Sequence, residues 1–194
     1  MVAGLEYPFV ASQRIAGQPL IAALLDYWEA KRGDRPMPDR RDIDPAELPP
    51  KLLPHLLLGE TLDGGTRWRY RLVGTEIVRR LGFDPTGRYI DDVLGGSYLA
   101  YVERLNAEIY RMRCPVYSES LFRWDERRHL FTRRLWLPLT RNGADDVAIV
   151  LAAQTFEAPN GEPCEPLVLP LDRAHIDETG RARLIYGTGP RRDA

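Results

Sequence analysis

Three apolar, strand-like segments, Val116 to Trp124, His129 to Leu139 and Val147 to Phe156, follow one another directly behind Pro115. They constrain the fold more than any other feature of the chain. The turns between them, Asp125 to Arg128 and Arg141-Asn142-Gly143, are short. Neighbours joined this tightly pair antiparallel, because a parallel crossover needs a dozen or more residues. The chain is therefore expected to build an antiparallel sheet, and the segments ahead of Pro115 must cover it.

Pro19 to Arg32 reads as an amphipathic helix. Leu20, Ile21, Leu24, Leu25 and Trp28 share one face while Asp26, Glu29 and Lys31 lie elsewhere, and Pro19 and Gly33 suit its two ends. Asp34 to Pro54 is a proline-rich connector in which Asp44, Pro45 and Glu47 form a capping-box pattern, predicting a short helix from Pro45 to about Leu53. A strand from His55 to Thr61 then meets Asp63-Gly64-Gly65, a composition that supplies the positive φ angles of a hairpin turn. In the returning strand Trp68, Tyr70 and Leu72 alternate with Arg67, Arg69 and Arg71, so the first set is expected to face the core. Thr75 caps a short helix closed by Gly82, Asp84 to Gly87 is a turn, and Ser97 caps the longest helix. That helix carries a stripe of Tyr98, Tyr101, Val102, Leu105, Ile109 and Met112. The resulting division is an N-terminal helix and connector over 1–54, a core over 55–157, and a Pro/Gly-rich, loosely packed tail over 158–194 with one hairpin around Thr179-Gly180.

With 27 basic against 28 acidic residues among 194, the chain as a whole has no electrostatic reason to seek nucleic acid or anionic lipid. The apolar fraction of 44% is enough for one proper core. Val147 to Ala153, the most apolar stretch, is far shorter than the roughly 20 residues a membrane helix needs. The N-terminus also lacks the layout of a secretion signal, so a soluble, cytoplasmic protein without a membrane partner is expected. Cys114 and Cys164 are too far apart for a CxxC motif and read as reduced thiols.

Two strands, several short helices, one longer helix and three antiparallel strands follow one another in the order found in PAS domains, and particular residues carry the likeness. They are Tyr27-Trp28 and Arg32-Gly33 at the end of the first helix, and Pro38, Asp42 to Pro45 and Leu48-Pro49 in the connector. The run from Tyr70 through Arg71, Leu72, Gly74, Thr75, Gly82 and Thr86-Gly87 to Arg88 continues it. From about Leu20 to Phe156 the chain resembles a bacterial PAS-like family. The resemblance implies an α+β fold, with a five-stranded antiparallel sheet flanked by short helices and preceded by an amphipathic helix. It also implies a cavity between the sheet and those helices, and a non-catalytic sensory or regulatory role in signal transduction, in which the module binds a small molecule or a protein partner. The covalent-flavin version of the fold needs a cysteine in Thr75 to Leu81, and the haem version a histidine in Ser97 to Arg113. Neither residue is there, so both cofactors are disfavoured.

The candidate ligand-binding residues are Tyr70, Tyr89, Tyr101, Arg134 and Trp136, though such rings more often belong to a filled core. Arg133 and Arg134 are adjacent in an apolar strand, so one must point to each face. Which of them turns inward stays open, but a buried arginine requires an acidic partner or an anionic ligand. The basic hairpin of Arg123, Trp124, Arg127, Arg128 and His129 is interrupted by Asp125 and Glu126 and reads as a solvated turn. The pairs Asp91-Asp92 and Asp145-Asp146 read as cap and turn residues, and His55, His129 and His175 are scattered. The Leu20 to Trp28 stripe is a candidate homodimer face. The alternatives are a small enzyme of the hot-dog thioesterase type, which also packs a long helix on an antiparallel sheet, and an interaction scaffold with a filled core.

Overall fold

In the computed structural model, which describes residues 14–123, 129–158 and 167–171, the expected N-terminal helix runs Pro19–Arg32 (α1), behind a helical turn at 14–16. Gly33 ends it at φ 55°, a left-handed value that favours glycine. Its apolar stripe is buried, with Ile21, Leu24 and Trp28 at 0% exposure and Leu25 at 6%. The Trp28 indole Nε1 donates to the carbonyl of Pro138 at 3.0 Å. This corrects the dimer-face expectation, because the stripe is spent on the protein's own sheet.

The connector behaves differently from the helix expected there. Instead of one helix over Pro45 to Leu53, it forms separate 3₁₀ turns at Arg40–Asp42, Pro45–Glu47 and Leu53–His55. The many prolines remove N–H donors and bias the residues before them away from helix, so no long ladder can propagate. Asp44 accepts from the backbone N–H of Ala46 at 2.9 Å, while the reciprocal capping box belongs to Asp39 and Asp42.

The sheet comprises β1 (Leu56–Leu62), β2 (Arg67–Val73), β3 (Val116–Arg123), β4 (His129–Leu139), β5 (Ile149–Glu157) and β6 (Leu167–Pro170). Their order is β2-β1-β5-β4-β3-β6, and every neighbouring pair is antiparallel. The five expected strands are all present. The sixth pairs with the outer edge of β3 and leads into a fully buried Leu171, so the chain is loosely attached at neither 167–170 nor 171. The hairpin expected around Thr179-Gly180 lies outside the described residues.

Two helices, α2 (Thr75–Leu81) and α3 (Gly96–Met112), lie between β2 and β3 in sequence, with a 3₁₀ turn at Ile90–Asp92. Gly95 occupies the N-cap position of α3, so Ser97 falls inside the helix rather than capping it. The sheet is covered on both faces. Leu135, Leu137 and Leu139 of β4 are fully buried on the face opposite Arg134 and Trp136, and α1 packs there across β4 and β5. α3 crosses β2 and β4, on the face that Arg134 and Trp136 share. Among the described residues no helix is long and apolar enough to cross a membrane.

The alternation expected in β2 holds for Trp68 and Tyr70, which are 2% and 7% exposed, and fails at Leu72, which is 47% exposed. The register explains it. Gly59 pairs with Tyr70 but Leu58 pairs with Leu72, so Arg71 is the extra residue of a β-bulge and Leu72 turns to the face of Leu58.

Asp39 ties the connector to the β4–β5 hairpin. Its carboxylate accepts from the backbone N–H groups of Arg41 at 3.0 Å and Gly143 at 2.9 Å, and from Arg41 Nε at 3.1 Å. Burial pushes its pKa up, but these donors outweigh burial and hold it at about 2. A folded pKa below the unfolded one adds stability above the ordinary carboxylate range, and that stability is lost as pH falls toward 2. Asp39→Asn should therefore cost about 2 kcal/mol near neutrality, with the gap to the unsubstituted protein narrowing below about pH 4 and closing only near pH 2; urea unfolding across that range is the check. Charged replacements at Leu24 and Leu25 should unfold the chain by on the order of 3 kcal/mol or more. A folded variant of altered sedimentation mass would instead reinstate α1 as an interface.

Candidate functional site

Side chains alternate along each strand, so the pairing fixes which residues look toward α2 and α3. On β2 they are Trp68 and Tyr70, which pair with Thr61 and Gly59 of β1. On β4 they are Arg134 and Trp136, and on β5 Gln154, which pairs with Arg134. On β3 they are Ser118 and Ser120, which pair with Arg134 and Thr132. The helical cover supplies Ile77 and Leu81 from α2, Ile90 from the 3₁₀ turn, and Tyr98 and Val102 from α3. Between sheet and cover is a cavity of about 40 Å³.

Aromatic rings set its walls. Trp68 and Tyr70 meet edge to face with centroids 4.6 Å apart. The Trp68 indole lies on Gly59 so closely that an added Cβ there would come within 1.6 Å of the ring. Trp136 Nε1 donates to Ser118 Oγ at 3.0 Å. The Trp68 Nε1, also buried, has no hydrogen-bond partner among the described residues. Burial raises the pKa of Tyr70 and of Tyr98, so both phenols remain neutral at physiological pH.

Arg134 answers the question the sequence left open. It is the inward member of the pair and is 1% exposed. Its Nη1 donates to Ser120 Oγ and its Nη2 to the Tyr98 hydroxyl, each at 2.9 Å. Arg133 points to the other face, where it pairs with Glu119 and Glu157. There the Tyr117 hydroxyl also donates to Glu119 at 2.7 Å, and Arg14 completes the cluster.

Of the five residues expected at the site, Tyr70, Arg134 and Trp136 line the cavity, and Tyr89 and Tyr101 do not. Tyr89 forms an isolated antiparallel bridge with Arg69, so it shares the arginine face; the Arg67 guanidinium sits 3.6 Å above its ring. Its neighbour Ile90 takes the inward direction instead. Tyr101 stacks on Tyr98 with centroids 5.9 Å apart, one step around α3 from the Tyr98–Val102 row that lines the cavity. Trp68, Tyr98, Ser120 and Gln154 were not singled out from the sequence as site residues. Trp68 shares the inward row of Tyr70, and Tyr98 begins the α3 stripe, so both carried a signal. Ser120 and Gln154 carried none, because only strand pairing brings them beside Arg134.

The acidic pairs serve structure. Asp92 accepts from the Tyr89 backbone N–H at 3.2 Å, and Asp146 binds Arg113 at 2.9 Å. The basic hairpin around Trp124 to Arg128 lies outside the described residues. A second, larger cleft of about 240 Å³ opens between the connector and the β4–β5 turn. Three arginines line it, and each is already committed: Arg35 to Asp42, Arg41 to Asp39 and Arg113 to Asp146.

The sequence model of the family described as PAS domain matches residues 17–153. No curated protein matches the chain.

Because Trp68 occupies the space a Cβ at position 59 would need, Gly59→Ala must displace the indole or shift the strand. The expected cost is about 3 kcal/mol, the upper end for overpacking. Urea denaturation followed by tryptophan fluorescence checks it, and a loss under 0.5 kcal/mol would mean that the indole yields freely.

Proposed function

The chain belongs to the PAS domain family, and from that premise we propose that it is a non-catalytic sensory or regulatory module whose signal is the occupancy of the cavity beneath α2 and α3. The observation that carries this reading is the composition of the cavity wall. A guanidinium, an amide and the polar edges of aromatic rings converge there from three strands and a helix. A core that served packing alone would gain nothing from burying a charge at its centre.

The cover over the cavity suits a change of state. α2 has seven residues and the Ile90–Asp92 turn three, and elements this short hold their place through a few side chains rather than through their own hydrogen-bond ladder. A ligand that displaces Leu81 or Ile90 moves backbone at the surface, and a partner protein can read that movement. Nothing in this mechanism needs a nucleophile or general base. The hot-dog enzyme alternative loses its support, because two strands and a short helix precede the long helix.

An interaction scaffold with a filled core is the second reading, favoured by the small volume of the cavity, well below the roughly 300 Å³ of a pocket for a drug-sized molecule. Native mass spectrometry of the purified protein, combined with thermal melting across a panel of small metabolites, separates the two. A retained molecule, or a melting temperature raised by several degrees in millimolar ligand, is the expected outcome for a sensor. A bare mass together with a flat panel would favour the scaffold.

A further inference from the structure

Arg134 is a fully buried cation held by neutral groups. The guanidinium carries five N–H donors, and two of them are used, by Ser120 Oγ and the Tyr98 hydroxyl. No ion pair to Arg134 exists among the described residues, while its neighbour Arg133 has two carboxylates. Burial keeps Tyr98 in its phenol form, so that hydroxyl supplies no counter-charge. A buried guanidinium without a counter-charge is costly unless something else solvates it.

The groups that share the cavity with Arg134 are of matching character. Trp68 presents an indole wall, and its buried Nε1 donor is without a partner among the described residues. Gln154, directly across the strand pair from Arg134, adds an amide. No aspartate or glutamate is among the described residues that line the space. An excess of donors around an unpaired cation is the composition that recognises an anion.

We propose that this cavity binds a small planar monoanion, a carboxylate of one or two carbons, against the free N–H groups of Arg134. The proposal rests on the reading of the cavity as a sensing site and specifies what is sensed. Size sets the limit. A cavity of about 40 Å³, far below the roughly 300 Å³ of a pocket for a drug-sized ligand, suits an anion as small as formate or acetate rather than a nucleotide. Planarity follows from the fork of the guanidinium, which meets two coplanar oxygens at once. Nitrate and bicarbonate share that geometry, so the test must tell them from carboxylates.

The test uses the full chain, dialysed free of carboxylate buffers, with ¹⁵N-labelled tryptophan and with formate, acetate, nitrate, bicarbonate and the neutral isostere acetamide as separate probes. Saturable millimolar binding of formate or acetate is expected, together with a shift of the Trp68 indole N–H. The Trp28 indole, bonded to Pro138 on the opposite face, should stay unmoved. Arg134→Met should weaken carboxylate binding at least tenfold, and Arg134→Lys should weaken it by less. Should Arg134→Met fail to fold, the Trp68 shift in the unsubstituted protein still decides. Carboxylate binding that leaves Trp68 unmoved, or that survives Arg134→Met unchanged, overturns the assignment. Saturation by nitrate or bicarbonate at tenfold lower concentration than either carboxylate replaces the carboxylate with an inorganic oxyanion and likewise overturns it. Acetamide bound where no anion binds leaves the sensing reading intact and removes the anion. Failure of every probe removes the anion, while the sensing reading stands or falls on the retained molecule and the metabolite panel.

Discussion

The contact of the Trp68 indole with Gly59 is the constraint on which the inner face of the sheet depends. A strand residue with any side chain at position 59 would push the ring into the space that Tyr70 and the α3 helix occupy. With glycine there, the indole sits close against β1 and meets the Tyr70 ring edge to face, and the two rings define one wall of the cavity. The bulge at Arg71 follows within one residue of Tyr70. It leaves Leu57 pointing at the cavity and sends Leu72 to the opposite face beside Leu58. A strand that kept strict alternation would have placed Leu72 inward and filled the end of the cavity next to α2.

How much of this was legible in the sequence depends on the range of the interaction that decides each feature. The helix Pro19–Arg32 was legible to the residue because its stripe and both its end signals are local. The strand before Asp63-Gly64-Gly65, expected over His55 to Thr61 and observed over Leu56–Leu62, was legible to within a residue, and the three turn residues take φ values of 50°, 65° and 90°. The failures involve pairing. A bulge is a property of two strands, so no pattern within Arg67 to Val73 marks Arg71 as the extra residue. Tyr89 points away from the cavity because it bridges to Arg69, a contact invisible in a segment read as a turn and short helix. The capping pattern at Asp44 was real, but the prolines around it allowed only a single 3₁₀ turn. The sixth strand is short and pairs with an element some fifty positions earlier, beyond the reach of periodicity.

The same limit applies at the site. That one of Arg133 and Arg134 had to face inward followed from the pleat alone, but which one did depended on the register with β3 and β5. Once that register is set, a repeated geometry appears. Arg134 reaches Ser120 and Trp136 reaches Ser118, each two positions along β3 from its direct partner, so both long side chains lean the same way. Serine at both positions leaves room for the chains and supplies an acceptor for each.

The two faces of the sheet treat charge in opposite ways, and that contrast bears on what the inner face is for. On the outer face Glu119 is buried with Arg14, Arg133 and the Tyr117 hydroxyl around it, and Glu60 lies among Arg69, Arg71 and Arg141. Buried ions there have their opposites within contact distance, as stability requires. On the inner face Arg134 meets only hydroxyls among the described residues. A leucine or methionine of similar volume would fill that position without the cost of a buried charge, so packing does not account for an arginine. Its second partner, Tyr98, stands in the first turns of α3, and the hydrogen bond joins the centre of the sheet to the helix that covers it. A group bound against the guanidinium would compete with, or reinforce, that link, so the hydrogen bond is the route by which the proposed signal would reach α3.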